Sequence, residues 1–357
     1  MVAQAEDQSG EGGRYPIREG AGGVRTVVHR GDDPLRLTQH HGPHHIVLGS
    51  HAPVDGDSLD ARAAADVLDG GHTEEAHAIA ARDVEFDWRD VPLHYIPGEP
   101  FASHFWNVMH LIVPLGEQMM AGCVAEALPY ISDERLREEA VGFIGQESMH
   151  ANSHGGYHAR LAEQGIDVEP IVRHVEHMLR VVFGDHGLTG RAKREWLHER
   201  VAFYAGLEHY TAIIGQWFLD ADALEAAGMH PVMLDLLRWH GAEEVEHRNV
   251  LFDIFQHLDG GYLRRTRTVV TGSVGLLATT FTVVDLLYRQ DPEYRWWKPW
   301  PVEAARAIRR GLIPSPGFFL TELPPYLRPG FHPSSMGSLD KALHYLAISP
   351  AARAAQH

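Results

Sequence analysis

From residue 231 to 258 the chain reads PVMLDLLRWHGAEEVEHRNVLFDIFQHL. At helical period Met233, Leu237, His240, Glu244, His247, Leu251 and Ile254 fall on one stripe. The ends of the stripe are ordinary core residues, but its middle is His, Glu, His, and no Lys or Arg lies on it. An ionised carboxylate on a buried stripe costs several kcal/mol unless something positive pairs with it. A cation from outside the chain resolves the conflict, and a His–Glu–His face is one way a helix holds such an ion.

The chain around this helix is long enough for one large domain or two ordinary ones, at 357 residues. With 44% apolar and 22% charged residues it affords a substantial core. A formal charge of −17 counts against nucleic acid as a partner, which needs a clustered basic surface. The lone Cys123 excludes an internal disulfide framework and fits a reducing compartment. The opening MVAQAEDQSGEGG lacks the basic and apolar regions of a secretory signal, so a cytoplasmic protein is expected.

Residues 1–90 read as a weakly ordered arm, rich in Gly, Asp and Ser, with brief helical period at 58–68 and 74–82. Its QHHGPHH run, residues 39–45, is followed by no carboxylate second shell and is expected to bind metal only adventitiously. Residues 91–260 read as a helical domain and 261–357 as a helical extension packed on it. A first long helix is expected over 101–128, kinked or unwound by Pro114 and Gly116 just before Glu117. Ser132 is placed to cap a second, over 133–163, with Phe143, Glu147, His150 and His154 on one face. A crossover helix follows Pro170. A third long helix, from Thr189 to about Asp220, carries Glu208 among small residues that leave room for something bulky. The stretch 231–258 is the fourth. In the extension, the uncharged run 268–284 is expected to be a buried helix, with membrane-surface attachment through RWWKPWP as the minor reading.

Glu147-x-x-His150 and Glu244-x-x-His247 thus sit on the second and fourth long helices, with Glu117 on the first and Glu208 on the third. One Glu from each of two helices, and Glu-x-x-His from each of the other two, is the pattern of ferritin-like di-iron and di-manganese bundles with one crossover. The expected fold is therefore all-α, a ferritin-like four-helix bundle with additional helices. The logic of the motif is that i and i+3 share a face, so one helix supplies a carboxylate and an imidazole together. Four carboxylates also balance two divalent ions in charge. Glu243 and Glu246 lie off the stripe and are expected on a solvated face, while His154 and His209 are expected to support neighbouring ligands. His240 stands one turn before Glu244, its side chain within reach of the same ion.

The set His240-x3-Glu244-x2-His247, joined to Glu117, Glu147, His150 and Glu208, resembles the ligand order of para-aminobenzoate N-oxygenase type non-haem di-iron oxygenases, which add a His to four Glu and two His. From about Asp90 to Pro333 the chain is also similar to the family of predicted metal-dependent hydrolases. The carrying pieces are DVPLHYIPGEPFASHFWNVMHLIVPLGE, QESMH, HGAEEVEH and GFHP. The resemblance implies two iron ions, with manganese as the alternative, and an oxidoreductase that activates O2 to oxidise a small organic substrate by N-oxygenation or hydroxylation. Met120, Val113, Phe143 and Tyr204 lie near the ligand stripes and could wall the site from water. No nicotinamide, flavin or haem motif is present, so electrons are expected from an external donor. A two-metal hydrolase is the alternative, a metal-binding protein without enzymatic activity the third, and a homodimer is compatible with all of them.

Overall fold

The computed structural model describes residues 78–297 and 299–356, which lie in one compact unit, Glu74–His357. The QHHGPHH run and the 58–68 segment fall outside the described residues, as do residues 74–77. Among the described residues every regular element is a helix. Helix α1 (Pro100–Ala127) opens on Pro100, whose missing N–H costs nothing at a first turn. It continues through Pro114 without the expected unwinding. A 3-10 turn at Leu128–Tyr130 leads to α2 (Glu134–Gly155). The cap of α2 is Asp133, whose Oδ1 accepts from the Leu136 N–H at 2.9 Å, rather than Ser132. Gly155 and Gly156 end α2 earlier than expected, and α3 (His158–Glu163) is a separate turn.

The crossover is α4 (Glu169–Phe183), after which α5 (Gly190–Asp220) runs the length of the bundle. A short α6 (Asp222–Ala226) leads to α7 (Pro231–His247) and α8 (Val250–Leu258). The expected fourth helix is thus two helices, broken at Arg248 and Asn249. In an unbroken helix the Val245 carbonyl would accept from the Asn249 N–H. Here the Arg248 guanidinium donates to it instead and also donates to the Pro333 carbonyl at 3.3 Å. A side chain inserted into the ladder is a sufficient cause of a break.

Helices α1 and α2 pack as one hairpin, α5 packs on α7 and α8 as the other, and contacts of α1 with α5 and of α2 with α7 and α8 close the bundle. This is the ferritin-like arrangement with one crossover. Between α5 and α7 the approach is so close that a Cβ on Gly215 would lie 2.4 Å from the Gly241 carbonyl oxygen. Gly215 therefore admits the backbone of α7, one position after His240.

The rest of the chain is α9 (Tyr262–Gln290), α10 (Trp300–Arg309), α11 (Pro316–Glu322), α12 (Leu339–Ile348) and α13 (Pro350–Ala354). Helix α9 lies against α5 and α1, and α12 against α7. The expectation that residues 268–284 are buried is corrected by the packing. Val269, Val283, Val284 and Leu287 face inward, but the most apolar window of α9 is only 22% buried, with Val274 66% exposed. Both α9 and the helical stretch Pro100–Tyr130 are long and apolar enough to cross a membrane by length and composition.

Candidate metal centre

Two apolar cores leave a polar gap between them. One is built around Trp106, Leu237 and Trp239, the other around Met120, Phe143, Tyr204 and Leu251. Along α7 and α8 the apolar ends of the stripe join these cores, and its His–Glu–His middle faces the gap. Glu117 from α1, Glu147 and His150 from α2, Glu208 from α5, and His240, Glu244 and His247 from α7 are all buried there, none more than 4% exposed. All seven sequence-derived ligand candidates come together.

Their separations have the spacing of a ligand shell. His247 Nε2 lies 3.2 Å from Glu147 Oε1, 3.3 Å from Glu208 Oε2 and 3.5 Å from Glu244 Oε2. His150 Nδ1 lies 3.4 Å from Glu244 Oε1, 3.6 Å from Glu147 Oε1 and 3.8 Å from Glu117 Oε1. His240 Nε2 lies 3.3 Å from Glu117 Oε1, and only its 2.7 Å approach to Glu244 Oε1 is a short hydrogen bond. Donors about 2.0–2.2 Å from a shared ion sit roughly 3 Å or slightly more from one another. Both oxygens of Glu117, Glu147 and Glu208, with Glu244 Oε2, His150 Nδ1 and His247 Nε2, have no hydrogen-bond partner. Buried polar atoms are almost always paired, so this concentration of unpaired donors fits a pair of cations. Glu117, His150, His240 and Glu244 form one group able to hold an ion, and Glu147, Glu244 and His247 a second, with Glu244 common to both.

Each imidazole is also held from behind. His150 Nε2–H donates to Glu243 at 3.0 Å, leaving Nδ1 toward the carboxylates. His247 Nδ1–H donates to Gln146 Oε1 at 2.9 Å, leaving Nε2 inward. His240 Nδ1 meets His154 Nε2 at 2.6 Å, and His154 Nδ1 in turn meets His110 Nδ1 at 3.1 Å. Such outer partners fix the tautomer and ring orientation of a metal-binding His. Behind them, Arg82 binds Glu243 at 2.7 Å and Glu246 at 2.8 Å, while Gln146 Nε2 donates to Glu246 at 2.6 Å.

This outer layer corrects two expectations. Glu243 and Glu246 are not on a solvated face but are 0% and 7% exposed. A second stripe, Trp239, Glu243, Glu246 and Val250, carries apolar residues at both ends and was the available sign of their burial. Arg82 and Gln146 were missed as well, and nothing local marks Arg82, whose partners lie more than 160 positions away. His209, in contrast, turns away from the centre, donating from Nε2 to the Glu322 carbonyl at 3.0 Å and lying beside the Tyr326 ring. Met120, Phe143 and Tyr204 are buried and Val113 partly so, and the Phe143 ring sits 4.8 Å from that of His247.

The electrostatics describe a centre in conflict with itself. Burial pushes the Glu117 and Glu147 carboxyls above their usual range and Glu208 up to about 8. Burial acts on Glu244 in the same direction, but the imidazoles of His150, His240 and His247 around it hold it well below. Burial opposes the charged forms of His150 and His247, yet the surrounding carboxylates hold both well above the ordinary value. His240 is pushed down to about 4 by burial and by the neighbouring His150. Divalent cations remove the conflict, since they replace shared protons as the positive charge.

No curated protein and no solved structure matches the chain. The family match extends a little beyond the span from Asp90 to Pro333 on which the resemblance rests. Residues 80–337, most of the chain, match the family described as predicted metal-dependent hydrolase, and the chain belongs to that family.

Proposed function

We propose that the chain is a dinuclear metalloenzyme of the O2-activating class, in which Glu117, Glu147, His150, Glu208, His240, Glu244 and His247 hold two iron ions and a small organic substrate is oxidised. The observation that carries this reading is the group of unpaired buried carboxylate oxygens and imidazole nitrogens at ligand spacing. Bound iron would supply the electrons and the open coordination positions that reduction of dioxygen requires. The chain's own residues do the rest. Glu243, Gln146 and His154 orient the three imidazoles, and Met120, Phe143 and Tyr204 keep water from the centre. Four carboxylates neutralise two divalent ions, which suits a buried site. Electrons come from an external donor on this reading.

The family description favours a second reading, a two-metal hydrolase, in which paired ions activate water and clamp the leaving group. That description names no oxygenase. The burial of the centre and its all-Glu, all-helix carboxylates fit hydrolysis of a bulky substrate less well. Anaerobic iron(II) loading followed by oxygen exposure separates the two. The oxygenase reading expects an oxygen-dependent optical band and turnover of amine or C–H substrates. Zinc that resists exchange for iron, with ester or amide cleavage and no oxygen-dependent band, would establish the hydrolase instead.

A further inference from the structure

A third group of ligating side chains lies outside the bundle centre and has no part in the chemistry above. His94 comes from the segment before α1, His104 from the first turns of α1, and Asp291 from the end of α9. Three segments up to 197 positions apart bring His94 Nε2 and His104 Nε2 each to 2.6 Å from one oxygen, Asp291 Oδ2. We propose that His94, His104 and Asp291 form a second, mononuclear metal site, selective for a zinc-class divalent cation. Two imidazoles and one carboxylate suit such an ion, and three protein ligands leave a fourth position for water.

The surroundings are those of a built site. The side chains of His104 and Asp291 are fully buried, while that of His94 is 19% exposed and opens a path for the ion and its water. Each ligand is braced from behind. Asp291 Oδ1 accepts the Glu293 N–H at 2.6 Å, so Oδ2 alone faces the imidazoles. His94 Nδ1 faces Glu293 Oε1 at 3.6 Å, and His104 Nδ1 faces the Asn107 side-chain amide at 3.3 Å. There the Asn107 Nδ2–H donates to Nδ1; turning the amide over would instead place Oδ1 at Nδ1, move the proton to Nδ1 and leave the Nε2 lone pair to a cation. Asn107 Oδ1 is otherwise a buried oxygen without a partner. Tetrahedral zinc at about 2.0–2.1 Å from its ligands spaces them by roughly 3.3 Å, so insertion asks each imidazole to withdraw from Oδ2 by under about 1 Å. The partly exposed His94 ring can yield that distance. A bound ion would tie the lead-in segment, α1 and the end of α9 together at the edge of the bundle.

The alternative is a closed hydrogen-bond network in which both imidazoles donate to Asp291 and no metal enters. Three measurements on the full chain separate them, with zinc itself as the probe. Crystals soaked with zinc are expected to show an anomalous peak bounded by His94, His104 and Asp291. Chelator-treated protein reloaded with zinc and desalted is expected to retain one ion fewer per chain in His94→Gln and in Asp291→Asn than in wild type. Thermal stabilisation by zinc should fall in the same two variants. The comparison is between variants because the chain carries 26 His and will hold some zinc elsewhere. Wild-type zinc content in both variants, or no peak at the three side chains, would overturn the site. If Asp291→Asn does not fold, the His94→Gln variant and the wild-type crystal still decide the question.

Discussion

Glu243 touches no candidate ion, yet it accepts from His150 Nε2–H, from Trp239 Nε1–H at 3.1 Å and from Arg82. It is a positioning residue, and Glu243→Ala should weaken metal affinity by roughly ten- to a hundredfold, read by competition with a chromophoric chelator. Unchanged affinity would mean that His150 is oriented by packing alone. His209 tests the apolar side of the same bundle. Burial holds its pKa down at about 4, below the unfolded value of about 6.5, so the folded state resists protonation. Its contribution to stability is therefore complete above pH about 6.5 and declines as pH falls from there toward 4. At 1.36 kcal/mol per unit the loss amounts to about 3 kcal/mol. Denaturant titrations across this range should show a shallower pH dependence for His209→Gln than for wild type. An identical slope would place the protonation elsewhere.

The order of elements was legible because each depends on local pattern. Pro100, Pro170 and Pro231 open helices, and the His–Glu–His stripe stands out against its apolar ends. What was not legible depends on contacts distant in sequence. The break after His247 is made by Arg248 reaching Val245 and Pro333, and no Gly or Pro announces it. Likewise Arg82, the cation that pairs with buried Glu243 and Glu246, arrives from before α1. The His94–His104–Asp291 group was invisible for the same reason, its members being scattered over three segments. The contact of α5 with α7 is the most exacting of these long-range features. A methyl on Gly241 would sit 2.7 Å from the Gly215 Cα, and a shift of the α7 backbone to relieve it would carry His240 and Glu244 along. Gly241→Ala should therefore cost about 1–3 kcal/mol, seen as a lowered unfolding midpoint, and should also lower metal occupancy. Full stability with full occupancy would show that the helices separate freely.

At the scale of the whole molecule, a ferritin-like bundle carries an extension whose longest helix, α9, covers α5 and α1 with one side and leaves Val270, Val274, Leu277 and Phe281 exposed on the other. Uncharged residues at 268–284 could be read as core or as surface, and periodicity alone did not decide between them, because α9 is apolar on both sides. The fold and the family agree on a metal-dependent protein. The oxidative and the hydrolytic reading differ in the reaction and share the centre. Both readings stand on a pair of ions held in the bundle. The direct test is anomalous diffraction at the iron edge from crystals of iron-loaded protein. The account predicts two peaks among Glu117, Glu147, His150, Glu208, His240, Glu244 and His247, roughly 3.5–4 Å apart, as in other two-metal sites. Both should be absent when Glu147→Ala and Glu244→Ala are combined. A single peak, or none among these side chains, would contradict it.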